Sequence, residues 1–177
     1  LNACAYITVR NLDIQTTGST DGWAVHFLNA TNCRVNNCIV ENAGAGAAST
    51  AADLMGVVMN NGTMLGNFST SSTTIISNTV DSNTIKNGFY GVYSTISNGA
   101  NTNYFLSNTV TGAYSSGFYF NRNQTVKCKC NRISMRVSNN SNDGITFMNC
   151  NASGVGFHEI SSNVINAGVR GIYLATS

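Results

Sequence analysis

A short pattern recurs along this chain at intervals of about thirty residues, and that recurrence limits the folds open to it more than any other feature. The unit is clearest where Leu106-Ser107-Asn108-Thr109-Val110 is followed by a turn run and then by Gly117-Phe118-Tyr119-Phe120-Asn121. It holds two short strand patterns, an Asn at the bend between apolar residues, and a Gly that opens the second strand. One such unit cannot bury its own apolar face, so it needs copies of itself above and below. Asn11, Asn37, Asn78, Asn108, Asn131 and Asn163 mark the copies, each followed by a strand led by Gly22, Gly56, Gly91, Gly117, Gly144 or Gly171. The first two copies match at five offsets, Ile7/Cys33, Val9/Val35, Asn11/Asn37, Leu12/Cys38 and Ile14/Val40. Stacked bend asparagines are expected to form an amide ladder.

Composition supports a turn-rich β chain. Only 9% of the 177 residues are charged, there is no Pro, and 27 are Asn, which tolerates the left-handed backbone of tight bends. A net charge of +2 without a basic cluster gives no electrostatic footprint for nucleic acid. No apolar run approaches a membrane span. The small-residue stretch Ala43 to Ala52 reads as a surface loop inserted into the second coil. The six cysteines permit fifteen pairings. Alternation with Lys127 and Lys129 is expected to put Cys128 and Cys130 together on the inner face.

These I-x-x-N-x-V type segments and G-h-x-h strands resemble the right-handed parallel β-helix repeat proteins, the pectate-lyase-like superfamily of sugar-acting enzymes, phage tailspikes and bacterial surface proteins. In style, TVRNLDIQTTGSTDGWAVHFLNATNCRVNNCIVENA is most similar to repetitive regions of large secreted bacterial surface proteins. The resemblance implies an all-β chain: a single-stranded right-handed parallel β-helix, or solenoid, of about six coils, forming one domain over residues 1–177. A strand pattern close behind Leu1 leads us to expect a piece of a longer, secreted or cell-surface protein.

In that architecture the residues one and three after each Gly face inward, namely Trp23, Val25, Val57, Met59, Val92, Phe118, Phe120, Ile145, Phe147, Ile172 and Leu174, with Ser94 the polar exception. The alternate residues face outward, and Tyr93, Tyr119 and Tyr173 share one outward offset. With Asn121 they are the ligand-binding candidates, because aromatic faces beside amides and hydroxyls suit a sugar ring. The partner expected is a polysaccharide or cell-surface glycan, together with neighbouring domains of a longer chain or self-association through bare strand edges.

The alternative is a polysaccharide lyase or glycoside hydrolase. Ser19-Thr20-Asp21-Gly22 and Ser141-Asn142-Asp143-Gly144 are similar to the NTDG element of polygalacturonases, which nominates Asp21 and Asp143, and His26 is the acid–base candidate. The companions of that element, an adjacent Asp-Asp, GHG and RIK, do not occur. Asp21 and Asp143 belong to the first and fifth coils, roughly 19 Å apart at ~4.8 Å per step, beyond the ~5 to 10 Å of a glycosidase carboxyl pair. No cofactor is expected; the scattered acids assemble no calcium cage by spacing, and the cysteines lack the CxxC spacing of a zinc site. The reading favours a structural or adhesive β-helix segment over an enzyme.

Overall fold

The computed structural model describes residues 1–44, 51–62, 68–97, 102–136, 141–151 and 156–176. They form a parallel β-solenoid of six coils with three strands per coil. The coils are, in order, β1 (Thr8–Arg10), β2 (Asp13–Thr16) and β3 (Asp21–Phe27); β4 (Arg34–Asn36), β5 (Ile39–Asn42) and β6 (Asp53–Met59); β7 (Thr79–Asp81), β8 (Thr84–Lys86) and β9 (Tyr90–Thr95); β10 (Thr102–Leu106), β11 (Thr109–Thr111) and β12 (Ser116–Asn121); β13 (Thr125–Lys129), β14 (Arg132–Ser134) and β15 (Asp143–Met148); and β16 (Glu159–Ser161), β17 (Val164–Asn166) and β18 (Arg170–Ala175). Each strand pairs with its equivalents in the adjacent coils, so first, second and third strands build three six-stranded parallel sheets. Thr8, Arg34, Thr79, Tyr104, Lys127 and Glu159 are in register. Among the described residues no helix is long and apolar enough to cross a membrane.

A single left-handed residue turns the chain from the first sheet to the second in every coil. Asn11, Asn37, Ser82, Ser107, Cys130 and Ser162 hold that corner, with φ between 53° and 58°. The position after it points inward and carries the ladder. Asn83 Nδ2 donates to Asn108 Oδ1 at 3.1 Å, Asn108 Nδ2 to Asn131 Oδ1 at 3.0 Å, and Asn131 Nδ2 to Asn163 Oδ1 at 2.9 Å. The same oxygens accept the backbone N–H of the preceding coil, from Asn83 to Asn108 at 3.1 Å, Asn108 to Asn131 at 2.9 Å and Asn131 to Asn163 at 2.9 Å, and Asn83 Oδ1 accepts likewise from Cys38 at 2.9 Å.

The amide ladder therefore exists in coils three to six, with a different membership from the one the sequence suggested. Asn11 and Asn37 are the left-handed residues one place earlier, joined by their own exposed hydrogen bond of 2.7 Å. Asn78 belongs to the corner that enters the first sheet, where its backbone N–H donates to Asn103 Oδ1 at 2.9 Å and its Oδ1 accepts the Cys33 N–H at 2.8 Å. Two adjacent corners each place an Asn near an apolar run, and spacing alone does not separate them. Cys33 and Cys38 replace Asn in the second coil's two columns. Cys128 is buried as expected; β13 ends at Lys129, so Cys130 turns out in the left-handed corner and is exposed, instead of sharing the inner face.

Inside, like stacks on like. The first sheet contributes Val35, Val80, Phe105 and Cys128, the second Val40, Ile85, Val110 and Ile133, and the third Val57, Val92, Phe118 and Ile145, all in one continuous core. Each such side chain removed from water contributes ~1.5–3 kcal/mol before ordering costs. Ser94 sits in this interior because Asn123 satisfies it, accepting from its Oγ at 2.9 Å and donating to its carbonyl at 2.9 Å. The glycine column is a close approach: a Cβ on Gly56, Gly91 or Gly117 would lie 2.5 to 2.6 Å from an inward methyl of the next coil.

Gly22 is outside that column. Register sets it opposite Leu54, so Ala24 falls level with Gly56, and Val25 and Phe27 are the inward pair of the first coil. Trp23, expected inside, packs instead on the outer face of the third sheet. The insertion Ala43 to Ala52 lies mostly outside the described residues, at positions 45–50.

Candidate functional site

The outer face of the third sheet gathers six aromatic side chains, Trp23, Phe68, Tyr90, Tyr93, Tyr119 and Tyr173. One outward row is His26, Val58, Tyr93, Tyr119, Thr146 and Tyr173, and a second is Trp23, Met55, Tyr90, Ser116, Asp143 and Arg170. Parallel pairing holds equivalent residues one rung apart, so rings on neighbouring coils stack. Tyr93 and Tyr119 lie 5.2 Å apart with planes inclined by 3°, and Tyr90 meets both at 5.2 and 5.0 Å. Met55, Val58 and Tyr93 are fully packed, with Trp23, Phe68, Tyr90 and Tyr119 around them, in a second apolar cluster separate from the interior. Burial raises the pKa of the Tyr90, Tyr93 and Tyr119 phenols, which remain neutral hydroxyls.

The four ligand-binding candidates differ in what they offer. Tyr93 is only 2% exposed, under Phe68 at 5.5 Å, with its hydroxyl accepting from Thr95 Oγ1 at 3.2 Å. Tyr119 and Asn121 on β12 and Tyr173 on β18 are half-buried and reach the surface. Arg170 lies over the Tyr173 ring at 3.6 Å. Trp23 Nε1 and Asn121 Oδ1, both on this face, are buried without a hydrogen-bond partner.

The acid–base candidates are dispersed. His26 faces outward, with Nε2 2.9 Å from Asn60 Oδ1 and its ring edge-on to Trp23 at 4.7 Å. Burial lowers its pKa, which favours neutral imidazole. Asp143 is held by Arg170 in a two-pronged ion pair of 2.7 and 3.0 Å, and Thr146 Oγ1 donates to it at 3.2 Å. Asp21 lies four coils away at the start of β3 and directly opposite Asp53 on β6. Sequence reading missed that pairing because Asp53 stands three residues before its Gly while Asp21 stands one before Gly22. It also missed Trp23, Met55 and Tyr90; the residue preceding each column glycine would have identified Met55 and Tyr90.

Elsewhere three further acids are paired with basic side chains. Arg34 grips Asp81 at 2.7 and 2.6 Å, Lys129 and Lys127 meet Glu159 at 2.8 and 3.6 Å, and Lys86 meets Glu41 at 3.6 Å. Among the described residues no three His, Cys, Asp or Glu side chains group as metal ligands would. The last coil ends in an apolar hollow of about 430 Å³ lined by Phe147, Cys150, His158, Ile160 and Leu174, where the interior rows run out.

Fold and site together define a parallel β-solenoid with an aromatic ridge along one outer sheet. Comparison with known protein families, with curated proteins and with solved structures finds no match for this chain.

Proposed function

We propose that this chain is a structural or adhesive β-helix segment of a secreted or cell-surface protein, one that holds a glycan along the outer face of its third sheet. The observation that carries the reading is the row of tyrosines along the solenoid axis on the third sheet, with Tyr90 and Tyr119 packed together and Tyr173 two rungs further on, beyond Thr146. Tyr119 and Tyr173 stand two rungs apart, about 10 Å, so alternate sugar units of an extended chain would each meet a tyrosine. On this reading the chain belongs with the pectate-lyase-like β-helix proteins in fold kinship but serves attachment. Its other partners are neighbouring coils of a longer chain or a second copy at the exposed apolar ends, where Val164, Ile172 and Leu174 are open.

Binding to a polysaccharide panel, followed by calorimetry on any hit, tests this. Tyr119→Ala and Tyr173→Ala should each weaken binding by about tenfold or more with the β-rich circular dichroism spectrum retained, the loss expected for one aromatic contact. Unchanged affinity in the double variant would refute the ridge as the binding face.

A second reading, glycoside hydrolysis, is favoured by one observation: Asp21 and Asp53 are in register on adjacent coils, which brings two acidic residues onto neighbouring rungs of one sheet, where a glycosidase needs its two carboxyl groups close together. Release of reducing sugar by the wild type, abolished in Asp21→Asn and in Asp53→Asn, would establish it over the adhesive reading.

A further inference from the structure

We propose that Cys4 and Cys33 are a disulfide-forming pair that clamps the first coil to the second. All six thiols are free, and Cys4 with Cys33 is the one pair of sulfurs in contact among the described residues, at 3.7 Å. The other four are kept apart by the fold. Cys38 turns its Sγ to the Asn36 carbonyl at 3.3 Å, Cys128 lies beside Asn131 in the interior, Cys150 bonds the Met148 carbonyl, and Cys130 faces solvent.

The contact is built by the backbone on both sides. Before β1 begins, residues 1–6 run alongside residues 26–31: Leu28 N–H donates to Leu1 O at 2.8 Å, Ala3 N–H to Leu28 O at 2.9 Å, and Thr31 N–H to Cys4 O at 3.0 Å. Tyr6 N–H then donates to Thr31 O at 3.1 Å. Cys4 is thus fixed opposite the turn that delivers Cys33, whose backbone N–H is anchored to Asn78 Oδ1 at 2.8 Å. Closing the sulfurs to the ~2.05 Å of a disulfide needs a side-chain rotation over about 1.7 Å, within reach of a χ1 adjustment.

The oxidant is a small-molecule disulfide. The Cys4 thiolate, on the partly exposed side, attacks one sulfur of RSSR and expels RSH after proton uptake. The Cys33 thiolate then attacks the Cys4 sulfur of the mixed disulfide and expels the second RSH. The two cysteines lose two protons and two electrons, and RSSR becomes two RSH. The new bond closes a loop whose ends are 29 positions apart and ties down the edge coil, where strands pair on one side only.

Trypsin separates the six cysteines onto six peptides, because Arg10, Arg34, Lys86, Lys127, Lys129, Arg132 and Arg170 divide them. The full chain, equilibrated with oxidised glutathione, alkylated and digested without reductant, should yield one dominant linked species joining residues 1–10 to residues 11–34. Those two peptides should disappear from the alkylated set while the other four cysteines stay alkylatable, and Tm should rise by several degrees. Cys4→Ser should fold, lose the linked species, and show no rise in Tm with oxidant. A different dominant pairing, full alkylation of Cys4 after oxidation, or an equal rise in Tm in Cys4→Ser would overturn the proposal.

Discussion

Asn108 and Asn37 look alike in the sequence and carry different burdens. Asn108 is buried, donates to Val80 O and Asn131 Oδ1, and accepts both the backbone and the side-chain N–H of Asn83. Its replacement by Ala strands several buried polar groups at ~1–3 kcal/mol each, so Asn108→Ala should lose ~3–5 kcal/mol. Asn37 is a left-handed corner residue whose side chain reaches only Asn11 at the surface. Asn37→Ala should cost ~1 kcal/mol, the left-handed penalty of an ordinary residue, and Asn37→Gly close to nothing. Denaturant titration of the three variants checks the order, and equal losses at both sites would contradict the ladder. The Asn-at-bend pattern was legible because bends select Asn; which Asn turns inward depends on a one-residue offset that composition does not mark.

At the level of the strand, two sets of residues that alternate in sequence become two different surfaces. The inner rows of the third sheet were readable from the glycine-led pattern in coils two to six, because period-two alternation fixes a face once one residue is placed. The first coil escaped, since the glycine beside Asp21 imitates the column glycine, and only pairing with β6 shows Ala24 in its place. The column glycines are required by approach, not by dihedral angle. Gly117→Ala would press a Cβ to 2.6 Å from Ile133 Cγ2 and 2.8 Å from Gly144 O, so we expect a loss of ~2–4 kcal/mol by thermal or denaturant unfolding. Gly171 has open space around its would-be Cβ, and Gly171→Ala should be nearly neutral. A Gly117→Ala variant as stable as wild type would refute the close-packed column.

Across the whole molecule, stability should depend on pH through the two histidines. Burial, the larger cause for each, lowers the folded-state pKa of His26 and of His158 below the ordinary 6.5. The unfolded chain therefore binds protons first. The stability these groups contribute is present above pH 6.5 and is lost as pH falls through their folded-state values. Tm should fall between about pH 7.5 and pH 5, above the range where the lowered Glu159 titrates, and a His26→Gln/His158→Gln variant should show a flatter profile. A wild-type profile flat across that window would contradict it.

The sequence by itself determined the solenoid, its six coils, the inner rows of coils two to six and the preference for Asn at corners, because repeats that cannot bury a face alone must stack, and like residues then meet like. Tertiary structure decided the rest. Which corner an Asn occupies, the pairing of Asp21 with Asp53, the burial of Tyr93 under Phe68 and the meeting of Cys4 with Cys33 all follow from register between coils of unequal length. Steps of 23 and 45 residues sit in one stack, so distance along the chain does not predict which side chains become neighbours.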